Sequence, residues 1–392
     1  MMPSVYCFGR SLTSPGVYSV ARLGQDSCAL LWRDRMTRAV SGMLLAALLG
    51  LAGVSGAGIA DPGERAVPCE TRDGIEPVCG LSAPEDIVVA PGGEGLVFGQ
   101  MHAPGGLFLL DTGDHSVTPL YSGADRDSTA WGQADCRQPP QILLAHGIDL
   151  SQRKDGRWQL LVVNHGGRES VEFYEWLPGP GAPAVAWRGC VAAPEDASLN
   201  DVAGLPDGGF LVTRMTSTQS PNWELFLAAI GFDNGVVYQW SAGEGYRTLP
   251  ATKGRFPNGI VLSPDGGSFF VNMYLGNKVV KFSFPGGEPL GQVSVSKPDN
   301  ASWSPDGKLL VASQFGSLLA LFDSLSLPPG TPSLLPYAVM EVDPETLAKR
   351  ELFWHEGAPM GAGTVAVQVE DAVYVGSYVG DRLVRVPLKP AS

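Results

Sequence analysis

The stretch Asn258-Gly-Ile-Val-Leu-Ser-Pro-Asp-Gly-Gly-Ser-Phe-Phe-Val271 decides the fold. It consists of a polar leading residue, a short apolar segment, a Pro-Asp-Gly turn and a second apolar segment, which is the pattern of a tight β-hairpin. The same pattern begins at Asn200 and again at Asn300. A hairpin that recurs along a chain predicts an architecture built from repeated sheet units.

Three weaker copies of the hairpin begin at Glu85, His146 and Thr364, so six copies follow one another at intervals of 42 to 64 residues. Further short strands between the copies bring each unit to four strands. Six such units predict an all-β fold, a six-bladed β-propeller with a central channel. The last unit ends one strand short, and residues 66–71 are predicted to complete it. One helical insertion is predicted at residues 222–230.

The composition limits the classes of function. The chain has 392 residues with 50 Gly and 32 Pro, which disfavours long helices. Its formal net charge of −13 excludes a basic nucleic-acid footprint and disfavours an anionic membrane surface as partner. We predict two parts: a targeting segment at residues 1–60 and a single propeller domain at residues 61–392.

The N-terminal part has the pattern of a secretory signal. Residues 39–60 carry no charge, follow Arg33, Arg35 and Arg38, and end in small residues. Met36 is the predicted start. We therefore expect an extracytoplasmic protein, secreted or periplasmic. The alternative is that residues 39–60 are retained as a membrane anchor, and only in that case is a membrane a partner.

Four cysteines remain after the targeting segment, and export permits them to form disulfides. They allow three connectivities, and their spacing alone does not choose among these. We favour the pairs Cys69–Cys79 and Cys136–Cys190.

The leading residues of the six copies converge in a propeller, because the first strand of each blade lines the channel. These residues are Glu85, His146, Asn200, Asn258, Asn300 and Thr364, with Asp86, Asp201 and Asp299 next to three of them. Carboxylates this close together need a counter-cation. Hard oxygen ligands fit Ca²⁺ better than Zn²⁺, and adjacent pairs of residues allow two ions. The fold prediction therefore includes a calcium-binding central channel.

At these residues the chain resembles the calcium-dependent paraoxonase/arylesterase family, within the broader gluconolactonase-like six-bladed propellers. The resemblance covers roughly Cys69 to the C-terminus. The patches that carry it are Pro84-Glu85-Asp86-Ile87, His146-Gly147-Ile148, Leu161-Val162-Val163-Asn164-His165, Leu199-Asn200-Asp201-Val202, Asn258-Gly259-Ile260 and Asp299-Asn300. Their order and spacing are specific, although each patch alone is weak.

The resemblance implies a role for each matching residue. The expected ligands of a catalytic Ca²⁺ are Glu85, Asn200, Asn258, Asp299 and Asn300. The expected ligands of a deeper, structural Ca²⁺ are Asp86, Asp201 and the backbone carbonyl of Ile148. The expected catalytic pair, which activates water above the catalytic ion, is His146 and His165.

Two features depart from the family pattern. No Cys follows Cys190, although the animal enzymes tie the N-terminal strand to the last blade with a disulfide. Residues 213–217 lack the family's acidic-His pair.

The matching residues and the export signal together predict the function. The predicted function is an exported Ca²⁺-dependent hydrolase of lactones and/or aryl esters with a small-molecule substrate. The alternatives are a sugar-lactone hydrolase of the gluconolactonase type and a non-catalytic binding propeller stabilised by Ca²⁺.

Overall fold

The computed structural model describes residues 67–93, 95–120, 131–178 and 183–388. Within these residues, 24 strands form six antiparallel sheets of four strands each. The chain begins with β1 (Glu76–Cys79). Blade 1 contains β2 (Ile87–Val89), β3 (Gly95–Gly99), β4 (Leu107–Asp111) and β5 (Val117–Pro119). Blade 2 contains β6 (Ala145–Gln152), β7 (Trp158–Asn164), β8 (Ser170–Leu177) and β9 (Ala184–Ala192).

The remaining blades continue in the same order. Blade 3 contains β10 (Ser198–Gly204), β11 (Phe210–Thr216), β12 (Gly235–Ser241) and β13 (Gly245–Gly254). Blade 4 contains β14 (Pro257–Leu262), β15 (Ser268–Met273), β16 (Lys278–Ser283) and β17 (Pro289–Ser294). Blade 5 contains β18 (Pro298–Trp303), β19 (Leu309–Gln314), β20 (Tyr337–Val342) and β21 (Lys349–His355). Blade 6 contains β22 (Gly363–Val369), β23 (Ala372–Ser377), β24 (Arg382–Pro387) and the returning β1.

The six inner strands form a closed ring. Each of β2, β6, β10, β14, β18 and β22 contacts the inner strands of the blades before and after it. One cluster of buried apolar side chains lies between each pair of neighbouring blades. Burying one large apolar side chain contributes about 1.5–3 kcal/mol, so these clusters rather than the polar centre drive closure. The six-bladed propeller prediction is confirmed.

The ring closes through β1, which pairs with β24 from Glu76↔Arg385 to Cys79↔Arg382. The closing strand therefore lies at residues 76–79, and the prediction of residues 66–71 is wrong. Pro68 has no N–H group to give to a ladder. The carbonyls of Val67 and Pro68 instead accept hydrogen bonds from the Arg382 guanidinium.

Two helices interrupt the strands. Helix α1 (Pro221–Ala229) joins β11 to β12 and confirms the predicted insertion. Helix α2 (Leu318–Leu325) joins β19 to β20 and has no counterpart in the sequence prediction. The Ser317 hydroxyl caps α2 by accepting the Ala320 N–H.

Both favoured disulfides are present, Cys69–Cys79 and Cys136–Cys190. The first one holds the closing strand β1 to the segment that precedes it, so the strand is tethered locally rather than to the last blade. Two disulfides indicate an oxidising compartment. Across the described ranges, no helix is long and apolar enough to cross a membrane. The predicted signal or anchor at residues 39–60 lies outside the described residues.

Candidate metal and catalytic centre

The start of each inner strand departs from regular pairing. In β10 the register moves from Leu199↔Arg214 directly to Val202↔Val212, so Asn200 and Asp201 leave the ladder together. The equivalent shifts in β6, β14, β18 and β22 leave out the pairs His146–Gly147, Asn258–Gly259, Asp299–Asn300 and Thr364–Val365. In blade 1 the pair Glu85–Asp86 directly precedes β2. These β-bulges take two adjacent residues of an inner strand out of the ladder, which frees their polar side chains, where present, for contacts with other blades.

The bulges also correct the alignment of one repeat. Ala301 in β18 pairs with Val311, just as Val202 in β10 pairs with Val212. Each of the two residues lies two positions before the end of its strand. Asp299 is therefore the structural equivalent of Asn200, and Asn300 takes the second position of its pair. The prediction that Asn300 leads its copy is wrong by one residue: the Pro of the Pro-Asp-Gly turn follows six residues after Asn200 and Asn258, and six residues before Pro305 is Asp299.

Glu85 is the centre of one hydrogen-bonded group. Asn300 Nδ2 donates to Glu85 Oε1 at 2.8 Å, and the Thr364 hydroxyl donates to the Glu85 carbonyl. His146 Nε2 lies 3.7 Å from Glu85 Oε1 and 3.3 Å from Asn200 Nδ2. Residues of four blades thus meet at Glu85, those of blades 2 and 5 at its carboxylate and Thr364 of blade 6 at its backbone carbonyl.

Four oxygen atoms at the starts of the inner strands have no hydrogen-bond donor among the described residues. They are Glu85 Oε2 and the Oδ1 atoms of Asn200, Asn258 and Asn300, which we call the open oxygens. The four residues are at most 5% exposed. A buried acceptor without a donor costs about 1–3 kcal/mol, and carboxylate and amide oxygens of this kind are able to coordinate a cation.

Asp86 and Asp201, the carboxylates at the second position of their pairs, differ from the residues that hold the open oxygens. Asp86 accepts backbone N–H groups from the next residue at 2.9 Å and from Ile148 at 2.7 Å. Asp201 accepts N–H groups from the next residue and from Ile260, both at 2.7 Å. We call Asp86 and Asp201 the braced carboxylates. Each one joins its own blade to the following blade.

The electrostatics of the centre show excess negative charge. Burial, followed by the charges of Asp86, Asp299 and Asp201, raises the pKa of Glu85 well above its usual range. Burial raises the pKa of Asp86 to about 7 and the pKa values of Asp201 and Asp299 well above their ordinary values. Burial and mutual repulsion thus disfavour the ionised forms of these four groups, and a nearby positive charge would favour them.

Asp299 has supporting residues that the sequence analysis missed. Gln314 Nε2 donates to Asp299 Oδ2 at 2.6 Å, and the Tyr274 hydroxyl donates to Gln314 Oε1 at 2.8 Å. Asn272 Nδ2 donates to the Asp299 carbonyl, while its own Oδ1 has no donor within the described part of the chain. Gln314 and Asn272 lie on second strands of their blades, where no repeat position marked them.

The two predicted catalytic histidines are in contact. His146 Nδ1 and His165 Nε2 are 2.8 Å apart, and His165 Nδ1 lies 2.8 Å from Glu169 Oε2. Glu169 Oε1 accepts the Leu199 N–H at 2.7 Å, next to Asn200. Glu169 was missed in the sequence, where its position four residues after His165 was the available signal.

The hydrogen-bonded series Glu169, His165 and His146, which we call the histidine relay, determines which ring nitrogen of each histidine carries the proton. The Glu169 carboxylate only accepts, so His165 carries its proton on Nδ1 and accepts at Nε2 from His146 Nδ1–H. His146 Nε2 therefore carries a lone pair, which faces the Asn200 Nδ2 amide group at 3.3 Å. Burial, with a smaller contribution from His165, lowers the pKa of His146 well below its usual value. The neutral imidazole required of a general base is the favoured form.

The segment at residues 213–217 also contacts the centre. The Thr213 hydroxyl accepts the Asp201 N–H at 3.0 Å and donates to the backbone carbonyl of Asn258 at 2.6 Å, so it links the backbone at a braced carboxylate to the backbone at a residue with an open oxygen. Met215 Sδ lies 3.4 Å from Asn200 Nδ2. A thioether thus lies against the centre on the segment that lacks the acidic-His pair.

The fold and this centre together define a six-bladed β-propeller with an oxygen-rich core. Residues 158–319 match the family described as SMP-30/Gluconolactonase/LRE-like region. This match confirms the wider resemblance to gluconolactonase-like propellers, and the narrower likeness to paraoxonases and arylesterases stays a prediction. A search of curated proteins finds no match.

Solved structures show the same fold at low identity. A luciferin-regenerating enzyme aligns with a TM-score of 0.50 and 13% identity over 80% of this chain and 94% of its own. A gluconolactonase from Xanthomonas campestris gives 0.48 and 15% over 86% and 99%. The calcium-binding protein regucalcin from Agrobacterium tumefaciens gives 0.45 and 12% over 79% and 92%. The first alignment shows the fold, and its identity of 13% leaves function to the site.

Proposed function

We propose that this protein is an exported, calcium-dependent hydrolase of lactones and/or aryl esters. The observation that carries the proposal is the contact of a histidine relay with two residues that hold open oxygens, since His146 Nε2 lies 3.3 Å from Asn200 Nδ2 and 3.7 Å from Glu85 Oε1. A cation site and a general base would thereby share one buried network. The gluconolactonase-like region is consistent with lactone hydrolysis.

The donor set fits calcium. Ca²⁺ takes six to eight oxygen ligands, and the centre presents carboxylate and amide oxygens that await a partner. No cluster of three or more His, Cys, Asp or Glu side chains suited to a metal occurs in the described ranges, so mixed amide and carboxylate ligation is the proposal. The proposed holders of the catalytic ion are Glu85, Asn200, Asn258, Asp299 and Asn300.

A second, structural ion is proposed beside the braced carboxylates, with the Ile148 carbonyl as a further ligand. Its support is different, because both carboxylates already accept two N–H groups each. The support is charge: the nearby Asp86 contributes to the raised pKa of Asp201, and a counter-cation would relieve this repulsion.

Bound calcium would supply the positive charge that polarises the substrate carbonyl. His146 Nε2 removes a proton from water as the water oxygen bonds to the carbonyl carbon. His165 and Glu169 hold the imidazole in position and stabilise the charge that it gains. The carbon–oxygen bond to the leaving group then breaks, and the same proton passes to the leaving oxygen. An ester yields an acid and an alcohol, and a lactone yields a hydroxy acid.

Two alternatives remain distinct from this proposal. Hydrolysis of a sugar lactone uses the same residues and is favoured by the family match at residues 158–319. A binding propeller with purely structural calcium does not require a relay of His146, His165 and Glu169 that ends in a lone pair at the cation site. Export is supported by the two disulfides and by the charge pattern around residues 39–60.

The test is hydrolysis of phenyl acetate, a γ-lactone and a δ-lactone with and without calcium. We expect turnover that is lost on calcium removal and restored by readdition. His146→Gln is expected to lower kcat by about 10²–10⁴-fold while calcium binding is retained. His115→Gln, whose ring packs against Tyr374 away from the centre, is the control. Activity that survives full calcium removal would exclude the proposed reaction.

A further inference from the structure

A funnel leads to the braced carboxylates from the end of the propeller opposite the histidines. It has a volume of about 380 Å³ and is lined by residues that follow the bulges along the inner strands. Its lining includes Asp86, Val88, Ile148, Asp149, Asp201 and Trp303. It extends to residues at the surface, among them Val89, which is 37% exposed. The histidines lie at the other ends of these strands, where Ala145 pairs with Asn164.

The funnel carries charge of one sign. Asp86, Asp149 and Asp201 are its acidic lining residues, and none of the described residues that line it is basic. Apolar walls from the inner strands surround these carboxylates, and walls of low dielectric concentrate the field of the charges. Such a passage attracts cations and disfavours anions, which include carboxylate products.

Asp149 stands apart from the two braced carboxylates. Its Oδ2 accepts the Gly204 N–H at 3.0 Å, so the side chain spans from blade 2 to blade 3 across the funnel. It lies close enough to Asp86 and Asp201 to interact with both charges. Asp149 thus extends the acidic lining from the buried carboxylates along the funnel.

The histidine end of the centre has a different lining. Asn300 Nδ2 donates to Glu85, and His146 contacts His165. The His146 side chain is 12% exposed, and in the proposed reaction water and substrate approach it at this end. The funnel reaches the braced carboxylates from the other end.

We infer that this funnel is the route by which a divalent cation reaches and leaves the centre, separate from the side on which the histidines act. The inference rests on the proposed calcium site. In this inference Asp149 attracts the cation, which enters and leaves at the funnel end of the channel, while the reaction takes place at the histidine end.

The experiment measures calcium release from the full-length protein in a stopped-flow instrument with a fluorescent chelator, and calcium uptake by the metal-free protein. Val88→Trp narrows the funnel, and Val117→Trp, on the outer strand β5 of the same blade and similarly part-buried, is the matched control. We expect Val88→Trp to slow both uptake and release by roughly fivefold or more, and the control to behave as the unmodified protein.

Asp149→Asn provides a second test that does not add bulk. We expect uptake to slow by roughly 3- to 10-fold, with a weaker dependence on ionic strength, while Asp111→Asn at the exposed end of β4 has no effect on uptake. Unchanged rates in folded, calcium-loaded Val88→Trp and Asp149→Asn proteins would overturn the route and leave the calcium site intact. A protein that binds no calcium at all would instead overturn the proposed function.

Discussion

The open oxygens and the braced carboxylates lie side by side at the starts of the inner strands, but they use their lone pairs differently. Asp86 and Asp201 each accept two backbone N–H groups, so the fold itself partly satisfies them. Glu85, Asn200, Asn258 and Asn300 each keep an oxygen without a donor in the described part of the chain. The backbone therefore positions the braced carboxylates, whereas the open oxygens depend on a ligand. Binding and catalysis are therefore expected to concentrate in the open oxygens, and stability in the braced carboxylates.

Calcium removal is the largest perturbation of this comparison. We expect complete loss of hydrolysis and, for each site, loss of about 2.7 kcal/mol of stability relative to calcium at 100 times its Kd. The loss also depends on pH. In the metal-free fold the pKa of Asp86 is about 7, above its unfolded value of about 4, so the folded state binds more protons between these values. Metal-free stability therefore falls as pH rises through this window.

The measurement is chemical unfolding of metal-free and calcium-loaded protein at about pH 5 and about pH 7.5. The stabilisation by calcium should be greater at the higher pH. Equal stabilisation at the two pH values would contradict the assignment of the cation to these carboxylates.

Asn258→Ala removes an open oxygen and should act through the ion. We expect the Kd for calcium to rise about 10- to 100-fold, equivalent to about 1.4–2.7 kcal/mol. Activity at limiting calcium should fall with it, and much of the stability loss should vanish in the metal-free protein. Calorimetric titration and unfolding with and without calcium test this. Asn222→Ala, at an exposed position of α1, is the control. An equal stability loss in both states would assign Asn258 a structural role.

Asp201→Asn alters a braced carboxylate. An amide group places an N–H donor against the N–H of Val202 or Ile260, so we expect unfolding to become easier by about 1–3 kcal/mol in the presence of calcium. At saturating calcium, kcat/KM should stay within a few-fold of the unmodified protein. Exposed Asp233→Asn is the control. A fall in kcat/KM as great as that of Asn258→Ala would remove the distinction between the two groups.

Thr213→Val is the smallest change and tests whether the groups are coupled. Its hydroxyl contacts both the Asp201 N–H and the Asn258 carbonyl, and its loss should cost about 1–2 kcal/mol. Calcium affinity should fall by no more than a few-fold. Thr213→Ser retains the hydroxyl and should restore most of the stability in thermal unfolding. Failure of Ser to restore it would assign the effect to packing of the methyl group.

Much of the architecture was predictable from the sequence because it depends on residues that are close together in the chain. Each Pro-Asp-Gly hairpin depends on residues within one turn, and six copies imply six blades whatever their order of assembly. The helix at Pro221–Ala229 was also predicted, whereas the two disulfides were a preference among three connectivities that the cysteine spacing left open. The closing strand was misplaced, since β1 and the preceding segment both lie beside Arg382 and only pairing with β24 distinguishes them.

The sequence alone determined the repeat, the blade number and the polar residues that would meet on the axis. The tertiary structure decided how those residues are used. Ring closure brings Asn300 to Glu85, which is 215 residues away, and the bulges free Asn200 and Asp201 as an adjacent pair. Glu169 and Gln314 gained their roles in the same way. Bulge register and hydrogen-bond partners depend on the neighbouring blade, and no spacing within one repeat contains that information.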